Sequence, residues 1–196
     1  MTFKINRTWD DHLVDHAPVS IDLSRDSTKG LVIMKVNAPF FNDPTSPEGP
    51  PGEPFFKLWD YEVVEAFFLA KDDKYLEVEL SPHGQHLLLL LNGRRNAIKH
   101  SLPLNYTTTI SFDQWTGIAE IPVDYFPPNV DRFNAYAIHG SGKDRMYESL
   151  YPVPSGSHTS ADFHRLEYFR PIPFTQLIPN NAGSPLSEVW RKALGQ

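Results

Sequence analysis

Three glutamates occupy alternating positions in two nearby segments of the chain, where their carboxylates could act together. Glu65 lies in the segment DYEVVEAFFLA, and Glu77 and Glu79 lie in the segment YLEVELS. Val63 and Phe67 flank Glu65 in the alternating pattern, which is an unusually apolar setting for a solvated carboxylate. Such carboxylates can accept hydrogen bonds from hydroxyl groups, or serve as general acid and base when one pKa is raised. The sequence therefore predicts a sheet face that binds a ligand or transfers protons.

The pairing of these two segments decides whether that face exists. Both are typical of β-strands, because side chains on alternate residues point to opposite sides of a sheet. Pairing Leu69 with Tyr75 across the turn between them places Glu65 directly opposite Glu79. Glu77 then shares their face. Facing carboxylates repel unless a cation, a hydrogen-bond donor or a shared proton lies between them, and a one-residue shift would separate them. The alternative is an ordinary solvated sheet face.

Strand patterns dominate the rest of the chain. Short β-rich segments separated by Gly, Pro and Asp turns predict strands at Phe3–Trp9, Val19–Leu23, Gly30–Val36, Asp60–Leu69, Tyr75–Ser81, Gln85–Leu91, Tyr106–Phe112, Gly117–Ile121 and Phe133–His139. Many short, closely spaced strands are typical of an all-β sandwich or barrel. One short helix is predicted at Pro185–Leu194, with Ser184 as its cap. Its apolar side chains are expected to pack on the body of the protein, through Leu186, Val189, Trp190 and Leu194.

Composition and charge exclude several classes of protein. The 196 residues carry a net charge of −6 and include no cysteine. A nucleic-acid-binding domain usually has a basic patch and a high pI, so no nucleic-acid partner is expected. Disulfides, zinc–thiolate sites and cysteine nucleophiles are excluded. The longest apolar run, Leu87–Leu91, is too short to span a membrane, and the first residues do not form a signal peptide. We expect a monomeric cytoplasmic protein with no membrane partner.

Two long irregular segments, 37–59 and 140–164, interrupt the strand pattern. Residues 37–59 contain six prolines and two glycines, with aromatic residues at both ends. Loops of this length are usually functional or disordered, and the aromatic residues favour an ordered, functional loop. The same segment could instead cover a sheet edge. In a third interpretation it is the recognition element of an intracellular interaction module, with a protein partner bound at 37–59.

Familiar catalytic motifs are absent from the sequence. There is no zinc-protease, nucleophile-elbow, P-loop or dinucleotide-binding pattern, and no catalytic triad can be assigned. His83 and His86 flank a glycine turn, where a turn role is favoured over metal binding. His139 and His164 stand in positions from which either could line a pocket. No cofactor is expected.

The segment LWDYEVVEAFFL, followed by KYLEVELSPHGQ, resembles a strand pair of family-9 carbohydrate-binding modules and their DOMON-like relatives. The matching residues are Asp60, Val64, Glu65, Tyr75, Glu77, Pro82 and Gly84. Later segments agree in order, at Trp115–Pro122, Arg132–Tyr136, Arg145–Pro152 and Asp162–Phe169. The resemblance covers the chain from Gly30 to Phe174. More closely, the whole chain resembles a small, uncharacterised animal protein family built on that domain.

The resemblance implies a fold and a class of ligand. The fold is an all-β, two-sheet antiparallel β-sandwich of the carbohydrate-binding-module-like jelly-roll type, at residues 1–178, followed by a tail at 179–196 with the short helix. Ligands of the related modules bind on or beside one sheet, and structural calcium is common among them. Here carboxylate-bearing turns at Asp72–Asp73 or Asp43 are candidate calcium ligands.

We therefore predict non-catalytic binding of a small polar ligand, a glycan or sugar derivative, on the carboxylate face. Trp59 and Tyr61 would supply stacking surface, and the glutamates would accept hydrogen bonds from hydroxyl groups. The complete set of predicted ligand-binding residues is Trp59, Asp60, Tyr61, Glu65, Glu77, Glu79, Arg94, Asn134, Tyr136, His139 and Tyr147. The alternative is a carboxylate-dependent enzyme, a hydrolase or a proton-transfer lyase or isomerase, with Glu65 and Glu79 as catalytic pair.

Overall fold

Two antiparallel sheets face each other in the computed structural model, which describes residues 1–196. In chain order the strands are β1 (Thr2–Ile5), β2 (Val19–Asp26), β3 (Leu31–Pro39), β4 (Val63–Ala70), β5 (Lys74–Leu80), β6 (His86–Asn92), β7 (Ala97–His100), β8 (Asn105–Ser111), β9 (Gln114–Pro122), β10 (Val130–His139), β11 (Met146–Ser149) and β12 (Arg170–Pro171). The first sheet has the order β1-β2-β3-β9-β8. The second has the order β11-β10-β4-β5-β6-β7, with β12 beside β10. The predicted β-sandwich is confirmed.

The main core lies between the two sheets and follows the strand alternation. On β4, the inward positions Val64, Ala66 and Phe68 are buried against apolar side chains of the first sheet, among them Met34 and Trp115. Full burial of one such large side chain contributes roughly 1.5–3 kcal/mol to stability. The core therefore fixes which face of β4 and β5 points inward, and so which face carries the glutamates.

The outer face of the second sheet is also buried, which is unusual for an antiparallel sandwich sheet. A smaller apolar cluster there includes Phe67, Tyr75, Leu89 and Ile138. The segments 55–61 and 161–169 run over this face, and Leu58 contributes to the same cluster. Because β6 is covered on both sides, its sequence is a continuous run of leucines and not an alternating one. This double coverage creates the candidate site.

All nine predicted strands are found in the predicted order, but their bounds differ in places and the structure has twelve strands. The first strand ends at Ile5 and not at Trp9, because the following residues form isolated bridges to other segments. Three short strands, β7, β11 and β12, were not predicted. Residues of β11 lie inside the segment 140–164, where the sequence indicated an irregular loop. Such short edge strands carry too few residues to show alternation.

The C-terminal helix α1 spans Glu188–Ala193 and is shorter than predicted. Ser187, and not Ser184, caps it, since its side chain accepts a hydrogen bond from the backbone N–H of Trp190. Trp190 is fully buried and donates its ring N–H to the carbonyl of Tyr125 at 3.0 Å. Leu194 is not part of the core that its neighbours pack against. No helix in the structure is long and apolar enough to cross a membrane.

Candidate functional site

The predicted register of the two carboxylate strands is confirmed. Glu65 on β4 pairs with Glu79 on β5, and Phe67 pairs with Glu77. The turn between the strands is closed by Asp73, whose backbone is left-handed at φ 61° and whose N–H donates to the carbonyl of Ala70. The three glutamates, here called the carboxylate cluster, are 2%, 4% and 0% exposed at positions 65, 77 and 79. The alternative of a solvated face is therefore wrong.

Apolar neighbours surround the carboxylate cluster on the sheet. Leu87 and Leu89 on β6 lie opposite Glu79 and Glu77. Both oxygens of Glu79, and Oε2 of Glu77, are buried and accept no hydrogen bond from any N–H or hydroxyl group. Buried carboxylates without donors are costly when ionised, so the cluster must be satisfied by bound protons or by a ligand.

Burial raises the pKa of all members of the carboxylate cluster. It raises the pKa of Glu77 to about 8, although the adjacent Glu79 carboxyl group and the charge of Arg95 oppose the shift. For Glu65, burial and the charge of Glu77 raise the pKa well above the usual range, and Arg145 offsets this only in part. Burial and the negative charges of Glu65 and Glu77 also raise the pKa of Glu79. At neutral pH the cluster therefore carries protons, and its acids can donate as well as accept hydrogen bonds.

A cleft of about 490 Å³ opens above this cluster. Glu65 and Glu77 reach its floor, together with Leu89, Leu91 and Ile138. The walls come from four segments that are far apart in sequence. Trp59, Asp60, Arg145 and Tyr147 form one wall, and Arg95, Ala97 and 161–164 form the other. Its volume lies in the range of roughly 300–1,000 Å³ that is usual for small-molecule sites.

Arg145 holds the first wall in place. Its guanidinium donates to the carbonyl oxygens of Trp59 at 2.6 Å and Asp60 at 2.9 Å, both in the 3₁₀ turn Leu58–Asp60. It also lies 5.8 Å from the centre of the Tyr147 ring. Arg145 therefore links β11 to the turn that closes the cleft, and it places a positive charge near the cleft floor.

A hydrogen-bonded chain builds the second wall. The Arg95 guanidinium lies 2.6 Å from Asp162, which also accepts from the backbone N–H of His164 at 2.9 Å. His164 Nδ1 lies 2.7 Å from the hydroxyl of Tyr75, and that hydroxyl accepts from the backbone N–H of Arg95. Burial and the charge of Arg95 lower the pKa of His164 to about 4. The imidazole is thus neutral at pH 7.

Five of the predicted binding residues line the cleft, namely Trp59, Asp60, Glu65, Glu77 and Tyr147. Glu79 belongs to the carboxylate cluster but is not among the residues that line the cleft. Tyr61 is not among the residues that line the cleft and packs edge-on against Phe55.

Four other predicted binding residues lie elsewhere. Arg94 forms an ion pair with Glu167 on the surface. Asn134 is buried and bonds both the N–H and the carbonyl of Tyr151. The ring of Tyr136 lies beneath Phe163, 3.9 Å away and stacked. His139 belongs to a different cluster at the sheet edge. Local alternation placed Asn134, Tyr136 and His139 correctly on one strand, β10, but it could not show which neighbours cover them.

Sequence reasoning missed several residues of the cleft, among them Arg95, Arg145, Asp162 and Phe163. A signal was present for some of them, because 140–164 was identified as a long irregular segment, and such loops are usually functional or disordered. The expectation that His164 could line a pocket is confirmed. Of the neighbouring residues Arg94 and Arg95, only Arg94 was predicted to bind a ligand, whereas the β6–β7 turn directs Arg95 to the cleft.

The carboxylate-bearing turns proposed for calcium have protein partners. Asp72 accepts from the Lys74 ammonium at 2.7 Å, and Asp73 lies 3.6 Å from Arg132. Asp43 accepts a hydrogen bond from the hydroxyl of Ser141. Calcium support for the fold stays a prediction.

Similar proteins are found among animal sequences, although no protein-family model matches the chain. The chain is 54% identical over 194 residues to the UPF0462 protein C4orf33 homolog of Mus musculus, covering 97% of this chain and 100% of that protein. It is 52% identical to the human UPF0462 protein C4orf33, covering 97% of this chain and 96% of that protein. The chain belongs to the UPF0462 family. The predicted relation to an animal family is thus confirmed, whereas the family-9 and DOMON-like resemblance stays a prediction.

The fold of this chain is similar to that of a bacterial protein of solved structure. That protein, from Bacteroides uniformis, is described as a "putative carbohydrate-binding protein". The likeness has a TM-score of 0.64 at 15% sequence identity and covers 87% of this chain and 84% of the other. At this identity the comparison shows the shared β-sandwich fold.

Proposed function

We propose that the cleft binds a small polyhydroxyl ligand, a glycan or sugar derivative, without reacting with it. The observation that carries the proposal is the carboxylate cluster: Glu65 and Glu77 reach the floor of an open cleft, and no protein N–H or hydroxyl group donates to Oε2 of Glu77 or to either oxygen of Glu79 behind it. A sugar hydroxyl both donates and accepts, so it matches a floor on which protonated and ionised carboxyl groups lie side by side. If Glu65 and Glu77 only stabilised the fold, no open cleft would be needed above them.

The walls of the cleft suit the remaining features of a sugar. Trp59, Tyr147 and Phe163 offer aromatic surface, on which the C–H faces of a sugar ring can stack. Leu89 and Leu91 provide apolar floor beside the carboxylates. Arg95 and Arg145 add positive charge to the cleft walls, which favours an acidic sugar derivative over a basic ligand.

Two further observations support this function over an interaction module. The similar bacterial protein is named for carbohydrate binding. The Pro-rich segment 37–59 is bonded to the body: Phe55 N–H donates to the carbonyl of His86 at 2.9 Å, and the Gln85 side chain donates to the carbonyl of Gly49 at 2.6 Å. Such a segment serves as scaffold for the cleft wall. A protein partner at 37–59 stays a prediction without a structural argument in its favour.

A carboxylate-dependent enzyme is the second candidate, and one observation favours it. The pKa of Glu77 is raised to about 8, close to neutral pH, and Glu65 lies beside it on the cleft floor. One carboxyl group could then act as general acid and the other as general base. The catalytic pair would be Glu65 and Glu77 in place of Glu65 and Glu79, since Glu79 does not reach the cleft.

A calorimetric and thermal-shift screen over neutral sugars, sugar acids and amino sugars tests the proposal. We expect one class to raise the melting temperature of the wild type, and Glu65→Gln and Glu77→Gln to weaken that response. Glu188→Gln, on the exposed face of α1, is the matched control and should respond like the wild type. Equal responses in all variants, or none in the wild type, would overturn the proposal. Incubation of each hit with the protein, followed by product analysis, separates binding from turnover.

A further inference from the structure

A second cluster of polar side chains lies at the edge of the second sheet, away from the cleft. Glu148 on β11 is fully buried, and its Oε1 lies 2.9 Å from Nε2 of His139 and 3.0 Å from Nε2 of His16. His139 ends β10, and His16 belongs to the segment between β1 and β2. These residues come together because β10 and β11 pair with Ala137 opposite Glu148, which puts His139 diagonally across from the carboxylate.

The donor atoms of this cluster fit a metal of the zinc class. One atom each from His16, His139 and Glu148 lies within 4.8 Å of the other two. Two imidazole nitrogens and one carboxylate oxygen form a donor set that zinc favours, with a fourth position left for water or substrate. Tetrahedral ligands at about 2.1 Å from zinc lie about 3.4 Å apart. The present spacings need only small side-chain shifts to reach that arrangement.

The orientation of His16 provides an independent argument. Its Nδ1 lies 3.0 Å from the carbonyl oxygen of Ala17. A hydrogen bond from Nδ1–H to that carbonyl leaves the lone pair on Nε2, directed at Glu148. A lone pair that faces a carboxylate oxygen is repulsive, unless a proton or a metal ion lies between them. Metal-binding histidines commonly donate their other ring nitrogen to a backbone carbonyl in this way.

Unpartnered buried oxygens point to the same conclusion. Oε2 of Glu148 is buried and has no hydrogen-bond partner, and the same holds for Oε2 of nearby Glu62. The ion pairs of Glu148 are formed with the two histidines, not with any lysine or arginine. A divalent cation would neutralise this buried negative charge.

Aromatic packing positions the imidazoles. Phe41 stacks on His139 with ring centroids 3.6 Å apart, and its edge contacts His16 at 5.1 Å. The side chain of His16 remains 16% exposed, which leaves a path for an ion from solvent. We propose that His16, His139 and Glu148 bind one zinc-class divalent cation, which fastens the segment between β1 and β2 to the sheet edge.

Metal titration of the untagged full chain tests this site. After treatment with a chelator and dialysis, we expect the wild type to bind one equivalent of Zn²⁺ in calorimetry and in metal analysis. Co²⁺ should give the visible absorption of a tetrahedral complex. His16→Gln should weaken Zn²⁺ binding by more than about 100-fold, because outer-shell partners alone are worth about 10- to 100-fold. His12→Gln is the matched control, since His12 is exposed in the same segment.

The outcomes separate a metal site from a proton-sharing cluster. His16→Gln lies at a partly exposed position, so it should fold even where Glu148→Gln does not, and circular dichroism checks this. Stoichiometric Zn²⁺ binding that is retained in His12→Gln and lost in His16→Gln supports the proposal. Absence of Zn²⁺ binding in the wild type, or equal affinity in His16→Gln, overturns it. Binding of Ca²⁺ in place of Zn²⁺ would also overturn it, because calcium prefers oxygen ligands.

Discussion

Glu65 and Glu79 face each other across the β4–β5 ladder in the middle of a buried sheet face. Directly opposed carboxylates are destabilising in a sheet, and burial makes ionisation more costly still. The pair is sustained by bound protons and by the positive charge of Arg145 near the cleft floor, whereas the negative charge of Glu77 opposes ionisation of both members. Such an arrangement costs stability, and under the proposed function that cost is offset when a ligand binds in the cleft above it.

Stability should fall as the pH rises from about 4.5 to 8. Glu77 binds its proton more tightly in the folded state, with a pKa near 8, than in the unfolded chain. The stabilisation is therefore complete below the unfolded pKa and is lost as the pH rises towards the folded one. The slope for one group is about −1.4 kcal/mol per pH unit. Urea unfolding at several pH values measures it, and Glu77→Gln should flatten the curve. A slope unchanged from wild type would contradict the raised pKa.

Loss of Arg145 should open the first wall of the cleft. Arg145→Met removes charge-assisted hydrogen bonds to the carbonyls of Trp59 and Asp60, each worth about 1.5–3 kcal/mol. We expect faster amide exchange at Tyr61, whose N–H bonds to the carbonyl of Leu58 in that turn, together with weaker ligand binding. Arg94→Met is the control, because its ion pair is half exposed and should contribute little. Similar exchange rates in both variants would contradict the anchoring role.

Removal of the Trp59 ring should weaken a stacked ligand. Stacking contributes about 0.5–1.5 kcal/mol, so Trp59→Ala should lower the affinity roughly two- to tenfold. Phe112→Ala is a suitable control because that ring is 97% exposed and far from the cleft wall. Calorimetry with the ligand identified in the screen gives both affinities. Unchanged affinity in Trp59→Ala would remove this ring from the binding surface.

The turn after β10 should depend on one glycine. Gly140 has φ +77°, and a Cβ there would overlap the carbonyl oxygen of Asp144. Gly140→Ala should destabilise the protein by about 2–5 kcal/mol, from left-handed strain and overlap together. Gly142 also has a positive φ, but an added Cβ would meet nothing within 4 Å. Gly142→Ala should therefore lower the free energy of unfolding by only about 1–2 kcal/mol. Denaturant unfolding measures the free energy of unfolding of both variants. Equal losses would show that overlap with the Asp144 carbonyl oxygen adds nothing to the left-handed backbone strain.

Residue alternation was sufficient to predict the sandwich and the carboxylate face. Val64, Ala66 and Phe68 point inward by strand geometry, so Glu65 must point outward, and the short turn between β4 and β5 sets its partner as Glu79. These are local relationships, with a period of two residues. The burial of that outer face was not predictable in the same way, because the covering segments lie far away in sequence.

The sequence by itself determined the fold class, the order of the main strands and the pairing of Glu65 with Glu79. Only the tertiary structure decided that Arg95, Arg145 and His164 surround them, and that His16, His139 and Glu148 meet at the opposite side. The reason is physical: alternation depends on backbone geometry over a few residues, whereas the position of a covering loop depends on long-range packing. The continuous leucines of β6 were the one local sign that the outer sheet face is covered, since a strand that is apolar throughout is typically buried on both faces.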